Sequence, residues 1–257
     1  MKVDILSIPI FAGNIELAVS YILKDFSDNA PLKNRCISAT GAHGLVEASE
    51  SLEFKHILHA FFWNLPDGMP TVWVGRLKGN KQMQRCYGPD FFKAMLVASA
   101  NKNIKHFFCG GKEGVAEKLR SHSQQEFKNE QVVGVFSPPF REMTDDEFQT
   151  LNEKIVASGA NIVWIGLSTP KQEKFAIRLA SFTQVSYIIT VGAAFDFHTG
   201  LLKQAPKWMQ KLGLEWFFRL LMEPQRLFKR YFKIVPQFIW LNIKEFTEIY
   251  AFKKNRI

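Results

Sequence analysis

Residues 158–175 read SGANIVWIGLSTPKQEKF. Residues 161–165 are rich in β-branched and aromatic side chains, which suits a strand. Gly166 interrupts the run. Pro170 then suits the first position of a helix, where its fixed φ and missing N–H cost little. A strand passing through a glycine turn into a helix is half of a strand–helix–strand unit. The same grammar recurs in both directions. Upstream, strands are expected at 3–8 (stopping at Pro9), 35–39, 61–65, 104–109 and 132–136. Helices are expected at 15–25, 89–100 and 112–121, and from a capping box at Thr144 and Glu147. Downstream, residues 185–191 read as the last strand, and only helical patterns follow Pro206. This alternation predicts an α/β fold: a mainly parallel sheet with helices on both faces, whose ligands sit at the carboxyl ends of the strands.

The 257 residues are 47% hydrophobic and 22% charged, ordinary for a globular protein of one large domain or one domain with an appendage. Charge is unevenly placed. The chain carries +9, and residues 201–257, with 12 Lys and Arg against 4 Glu, hold +8 of it. A division follows: a near-neutral body over residues 1–200 and a basic, aromatic helical segment over 201–257. On a helical wheel Arg219, Arg226, Lys229, Arg230 and Lys233 share one face. Phe217, Leu221, Phe228, Tyr231 and Phe232 lie opposite. This is the pattern of a helix lying in a membrane interface. It is also the pattern of a helix packed on its own domain with a solvated charged face, and basic residues with interleaved aromatics bind nucleic acid too. The charge-balanced body argues against nucleic acid. Pro224 is expected to start a second helix rather than continue the first. No run of about 18 apolar residues could span a bilayer, and the first residues lack a signal-peptide pattern. Cys36, Cys86 and Cys109 suggest neither a disulfide framework nor a zinc site, which fits a reducing compartment.

The loops after the strands carry the chemistry. Gly110 and Gly111 precede a helix and would let backbone approach a phosphate, although the Walker ending and the GxGxxG fingerprint are missing. Asp67 lies in the turn Asn64-Leu-Pro-Asp-Gly-Met-Pro70. It reads either as a turn former bonding its own backbone or as a general base at the mouth of a strand. Lys171 and Gln172 fall in the first turn of a helix, near any bound anion. Asp196, in VGAAFDF (residues 191–197), could accept hydrogen bonds from a base or ribose. Each of these loops could equally be a simple connection. No Asp-x-Asp metal motif and no nucleophile-elbow serine occur, and His56 and His59 lack an acidic partner pattern.

Taken together, LPDGMPTVW (65–73), RCYGPDF (85–91), FFCGGKEGVAEKL (107–119), residues 158–175, VGAAFDFHTG (191–200) and APKWMQKLGLEWFFRLLMEPQRLFKRY (205–231) closely resemble the WecG/TagA/CpsF bacterial glycosyltransferases. The resemblance implies a Rossmann-like core with a C-terminal helical appendage that engages the membrane and helps close the active site. It implies inverting, metal-independent transfer of a sugar from a UDP donor to an undecaprenyl-diphosphate-linked acceptor. The enzyme would be peripheral on the cytoplasmic face of the cytoplasmic membrane, working in cell-surface or exopolysaccharide synthesis. The UDP-sugar is a substrate, and no cofactor or metal is implied. By matching motifs, Asp67 takes the place of the proposed base, with Thr40 and Arg85 beside it. Gln172 matches the glutamine of the family's PKQE segment, and Asp196 the aspartate of its GAFDF segment. Arg219 and Arg226 match the appendage arginines, and a further basic position falls on Lys229 or Arg230. Many members read Thr-x-Asn where this chain has Thr40-Gly-Ala-His-Gly44, as exopolysaccharide-type hexose transferases do. The donor sugar therefore stays open among N-acetylmannosamine, its uronic acid and glucose. The alternative reading is a non-catalytic nucleotide-binding module at the membrane surface. The oligomeric state, a homo-oligomer included, is not fixed by the sequence.

Overall fold

The computed structural model describes residues 1–28 and 32–254, with side chains through residue 249. Residues 255–257 of the C-terminal segment lie outside the described residues. The first half runs β1 (Lys2–Ile5), β2 (Ile8–Phe11), α1 (Ile15–Ser27), β3 (Arg35–Thr40), α2 (Ala42–Glu50), α3 (Leu52–Ala60), β4 (Trp63–Pro66), α4 (Met69–Leu77) and α5 (Gly88–Ser99). The middle runs β5 (His106–Gly110), α6 (Val115–Glu126), β6 (Val132–Phe136), α7 (Asp145–Ser158), β7 (Ile162–Gly166), α8 (Lys171–Ala180) and β8 (Tyr187–Thr190). Then come α9 (Ala194–His198), α10 (Lys207–Lys211), α11 (Glu215–Met222) and α12 (Pro224–Lys254).

The strands form one eight-stranded sheet in the order β1-β2-β4-β3-β8-β7-β5-β6, parallel except for the β1–β2 pair. β3 sits centrally: Ser38 is level with Asn64 of β4 on one side and Thr190 of β8 on the other. Side chains alternate between faces as a pleated strand requires. Ile162 and Trp164 of β7 join one core with α1, α5 and α6, while Val163 and Ile165 join another under α7 and α8. The expected α/β architecture with helices on both faces is therefore present.

The N-terminus differs from expectation. The single strand expected over 3–8 is a hairpin, turned at Leu6 and Ser7, which both take positive φ (51° and 62°). Two successive left-handed residues match the twist of a tight hairpin. Pro9 lies inside β2 rather than ending a strand. Its carbonyl accepts from the Asn64 side chain, so the position is held without the N–H it lacks. Helices α2, α3 and α4 occupy stretches that read as turn or had no reading; each has nine residues, too short for a clear period.

α12 begins at Pro224, as expected, and runs on through Pro236. Its Ile234 and Phe238 are buried in a third core shared with Val3, Ile5 and Ile8 of the hairpin and Leu45 of α2. The C-terminal helices thus lie on the sheet's β1 edge, and they bring their arginines over the strand ends.

Gly110 fixes how the β5 and β7 loops cross. It takes φ +147°, and a Cβ there would meet the Gly166 carbonyl oxygen at 2.5 Å. Gly79 is also left-handed (φ +98°) but faces open space. Gly110→Ala should cost about 3 kcal/mol or more through strain plus overlap, and Gly79→Ala only about 1 kcal/mol. Urea unfolding of the two variants checks the difference.

Candidate active site

β4 ends at Pro66 and the chain turns at Asp67 and Gly68 into α4. The turn is clamped from both sides. Asp67 N–H donates to the Thr40 carbonyl at 3.2 Å, and the Asp67 carbonyl accepts from Arg85 Nε at 2.6 Å. The carboxylate does not bond its own turn. Its Oδ1 accepts from Gly88 N–H, the first residue of α5, at 2.7 Å. A free helix N–H favours the carboxylate anion, as does the Arg85 guanidinium. Burial outweighs both, and with some help from Glu215 it pushes the Asp67 carboxyl up to about 6. Gly88 has to be glycine here, because a Cβ would sit 2.8 Å from the Val191 carbonyl oxygen.

Arg85 joins body and tail. Its guanidinium lies 3.9 Å over the Tyr87 ring and pairs with Glu215 of α11 at 2.6 Å. Arg219, one turn further along α11, lies 5.7 Å over Phe197, and its Nε is buried with no partner among the described residues. Glu223 takes both oxygens to Arg226 at 2.8 and 2.6 Å and stands 3.7 Å from Arg219. Arg230 makes no ion pair among the described residues. Burial first, then Arg226 and Arg219, lower its proton affinity. These four arginines, with Asp67, line one cleft of about 2460 Å³. Lys229 is exposed and stands off the wall.

The other expected residues are placed unequally. Asp196 and Gly111 line the cleft. Burial raises Asp196, and Arg226 counters it. The Gly111 N–H is committed to the Gly166 carbonyl at 3.1 Å, and Gly110 lies behind the wall. Gln172 reaches the cleft but is almost fully buried, and its amide is engaged at both ends. Oε1 accepts from Gly192 N–H at 2.9 Å, while Nε2 donates to Glu173 Oε1 at 2.9 Å. It ties the β7 loop to the β8 loop. Thr40 is buried behind Asp67, its hydroxyl donating to Ser38 Oγ at 3.0 Å. Ser38 in turn donates to Glu173, whose carboxyl is raised by burial. Tyr87, Gly88, Glu173, Glu215 and Glu223 were not singled out from sequence. Glu215 gave no local signal, since its partner Arg85 is 130 residues away; Glu173 and Glu223 have near partners in the chain, but their spacing alone marks no site.

Among the described residues no three His, Cys, Asp or Glu side chains are grouped to hold a metal, and no helix is long and apolar enough to cross a membrane.

The strand ends of the parallel sheet thus open on a carboxyl of raised proton affinity, with guanidinium groups lining the same cleft. The chain belongs to the glycosyl transferase WecG/TagA/CpsF family, whose model matches residues 3–251. It is similar to the N-acetylglucosaminyldiphosphoundecaprenol N-acetyl-beta-D-mannosaminyltransferase of Bacillus subtilis (strain 168), with 28% identity over 239 residues, covering 93% of this chain and 90% of the relative.

Because Asp67 holds its proton more tightly folded than unfolded, the native state binds more protons between about pH 4 and pH 6. Stability should fall as pH rises through that window and stay lower above it. Asp67→Asn removes the titration and can still accept from Gly88. Its stability relative to the parent should rise from pH 4 to pH 7 by about 1–2 kcal/mol, the full shift discounted for a half-buried group. Denaturant melts at the two pH values measure this, and an unchanged difference would refute the coupling.

Proposed function

We propose that this chain transfers a sugar from a UDP donor to a polyprenyl-diphosphate-linked saccharide, with inversion and without a metal. The observation carrying this reading is Asp67, its carboxyl pushed up to about 6 by burial, lining one cleft with Arg85, Arg219, Arg226 and Arg230. The Bacillus subtilis relative supports N-acetylmannosamine as the transferred sugar and a GlcNAc-diphosphate lipid as acceptor. The Thr40-Gly-Ala-His-Gly44 segment keeps a hexose donor as the second reading.

In the proposed step Asp67 takes the proton of an acceptor hydroxyl. That oxygen bonds to the anomeric carbon from the face opposite UDP, and the bond from that carbon to the UDP oxygen breaks. One displacement inverts the configuration. The electron pair leaves with the diphosphate, and the proton passes from Asp67 to solvent. A base near pKa 6 is ionised at neutral pH yet still basic enough to help. Charge growing on the leaving diphosphate is met by guanidinium groups, which suit bidentate phosphate contact. Thr40 acts by position, through its carbonyl on the Asp67 N–H, and Gln172 by holding two strand-end loops together. Asp196 is placed to meet the nucleotide, and Gly110 and Gly111 let the β5 loop come close.

The tail sets the location, peripheral on the cytoplasmic membrane face. Phe228 (57% exposed) and Phe232 (74%) project outward, with Phe217 and Leu221 of α11 also exposed. Lys229 and Lys233 add charge beside them, each basic residue near an anionic leaflet being worth about 1 kcal/mol.

Asp67→Asn should lower turnover by roughly 10²–10⁴-fold. The parent's kcat/KM should fall below about pH 6 as Asp67 takes up a proton. Assay of UDP-sugars against a lipid-diphosphate GlcNAc acceptor tests both, and near-normal turnover of the variant would refute the assignment. Activity should also survive EDTA; loss on chelation with recovery on adding magnesium or manganese would overturn the metal-independent step.

A further inference from the structure

The cleft does not stop at the arginines. It continues between α4 and α12, with Trp73, Val74 and Leu77 on one wall and Val235, Ile239 and Ile243 on the other. We propose that this channel holds the polyprenyl chain of the acceptor, running from the diphosphate at the arginines outward to the lipid. The proposal rests on the reading above that the acceptor is a polyprenyl diphosphate.

The walls suit a hydrocarbon. None of the six side chains has a hydrogen-bonding group except the Trp73 indole; Val74 is buried at the base and four of the others stay exposed. Trp73 is 45% exposed, Leu77 75%, Ile239 54% and Ile243 52%. A polar lining residue, Asn242, turns its Nδ2 to the Phe238 carbonyl of its own helix at 2.7 Å. Val235, Ile239 and Ile243 follow a four-residue spacing, so they form one line along α12. A step of three back from Val235 brings the same helix face to Phe232, and a further step of four to Phe228, whose rings stack at 5.8 Å. The channel wall and the membrane-directed surface are thus one continuous apolar strip.

The two ends differ in the way an amphiphile requires. At one end lie Asp67, Trp216, Arg230 and Tyr231. At the other, Lys78, just past α4, pairs with Glu245 at 2.7 Å and sits 5.7 Å from the Phe246 ring, tying the two helices together. From Tyr231 to Glu245 α12 rises about 21 Å at 1.5 Å per residue, room for several isoprene units. A free phosphate or nucleotide would use the cationic end and leave the apolar length empty. An acyl chain or a second copy of this chain would use the apolar length without the cations. A molecule with a diphosphate head and a long branched hydrocarbon tail uses both.

A polyprenyl diphosphate carrying a diazirine in its tail, photolysed with the full chain in detergent micelles, reads the position directly. Adducts are expected on peptides containing Trp73–Leu77 and Val235–Ile243. Leu77→Glu and Ile243→Glu alter side chains that are more than half exposed, so the core is left intact. Each should raise KM for an undecaprenyl-linked acceptor about tenfold or more while leaving a short-alkyl diphosphate acceptor within about twofold. Phe228→Glu, on the outer face, should weaken binding to anionic vesicles without changing KM in micelles. Adducts confined to Phe228 and Phe232, adducts linking two copies, or equal losses on long and short acceptors would each overturn the channel. Channel adducts from a protein that transfers no sugar to any lipid-diphosphate acceptor would leave the channel standing and sink the proposed reaction. Transfer with adducts elsewhere would do the reverse.

Discussion

The parallel register of β4, β3, β8, β7 and β5 is the constraint on which the site depends. Strands that run the same way deliver all their carboxyl ends to one edge of the sheet. The loops after β4, β3 and β8 therefore meet although they come from residues near 67, 41 and 192. Hydrogen bonds between strand-end loops hold the cleft's floor: Asp67 N–H to the Thr40 carbonyl, Gly192 N–H to the Gln172 side chain after β7, and Gly111 N–H after β5 to the Gly166 carbonyl of β7. Where the loops approach closest the chain has glycine. At Gly88 and Gly110 a single methyl group would collide with a backbone carbonyl.

The electrostatics of the cleft follow from this crowding. Asp67 receives a helix N–H and a neighbouring guanidinium, each of which stabilises the anion, yet its proton affinity rises because burial is the larger effect. The arginines show the converse. Two glutamates partly satisfy three of them, through Arg85–Glu215 and the Glu223 bridge to Arg226 and Arg219. Arg230 is left with like-charged neighbours. A cluster of this kind is stable in a folded protein because each glutamate is shared with or held against a guanidinium group.

Much of the fold was legible because buried parallel strands leave compact apolar runs, as at residues 132–136 and 162–165, and because capping chemistry is local, as at Thr144 and Glu147. The hairpin at Leu6 and Ser7 was illegible since neither residue is a usual left-handed one. Helices α2 to α4 were too short to show a period. Asp67 and the arginines stood out through the resemblance and the charge count. What they bond to did not, because Arg85 and Glu215 lie 130 residues apart and Asp67 meets Gly88 only once the sheet is formed. Gln172 shows the same limit: a polar residue in a helix's first turn looks available, and only the fold shows both ends of its amide engaged.

The hairpin and α12 close on each other: Leu6 N–H donates to Glu245 across 239 residues, and Ile234 and Phe238 cover Val3, Ile5 and Ile8. A ribosome makes the hairpin long before α12. Residues of α2, α3 and α4 cover part of the hairpin's apolar side early, but the part under Ile234 and Phe238 waits for α12, and apolar surface left open on a nascent chain invites aggregation. The same delay has a protective side. Arg219, Arg226 and Arg230 arrive with α11 and α12, so the cleft gains these guanidinium groups together with the exposed Phe228 and Phe232. A half-made chain would hold Asp67 without most of the arginines that share its cleft.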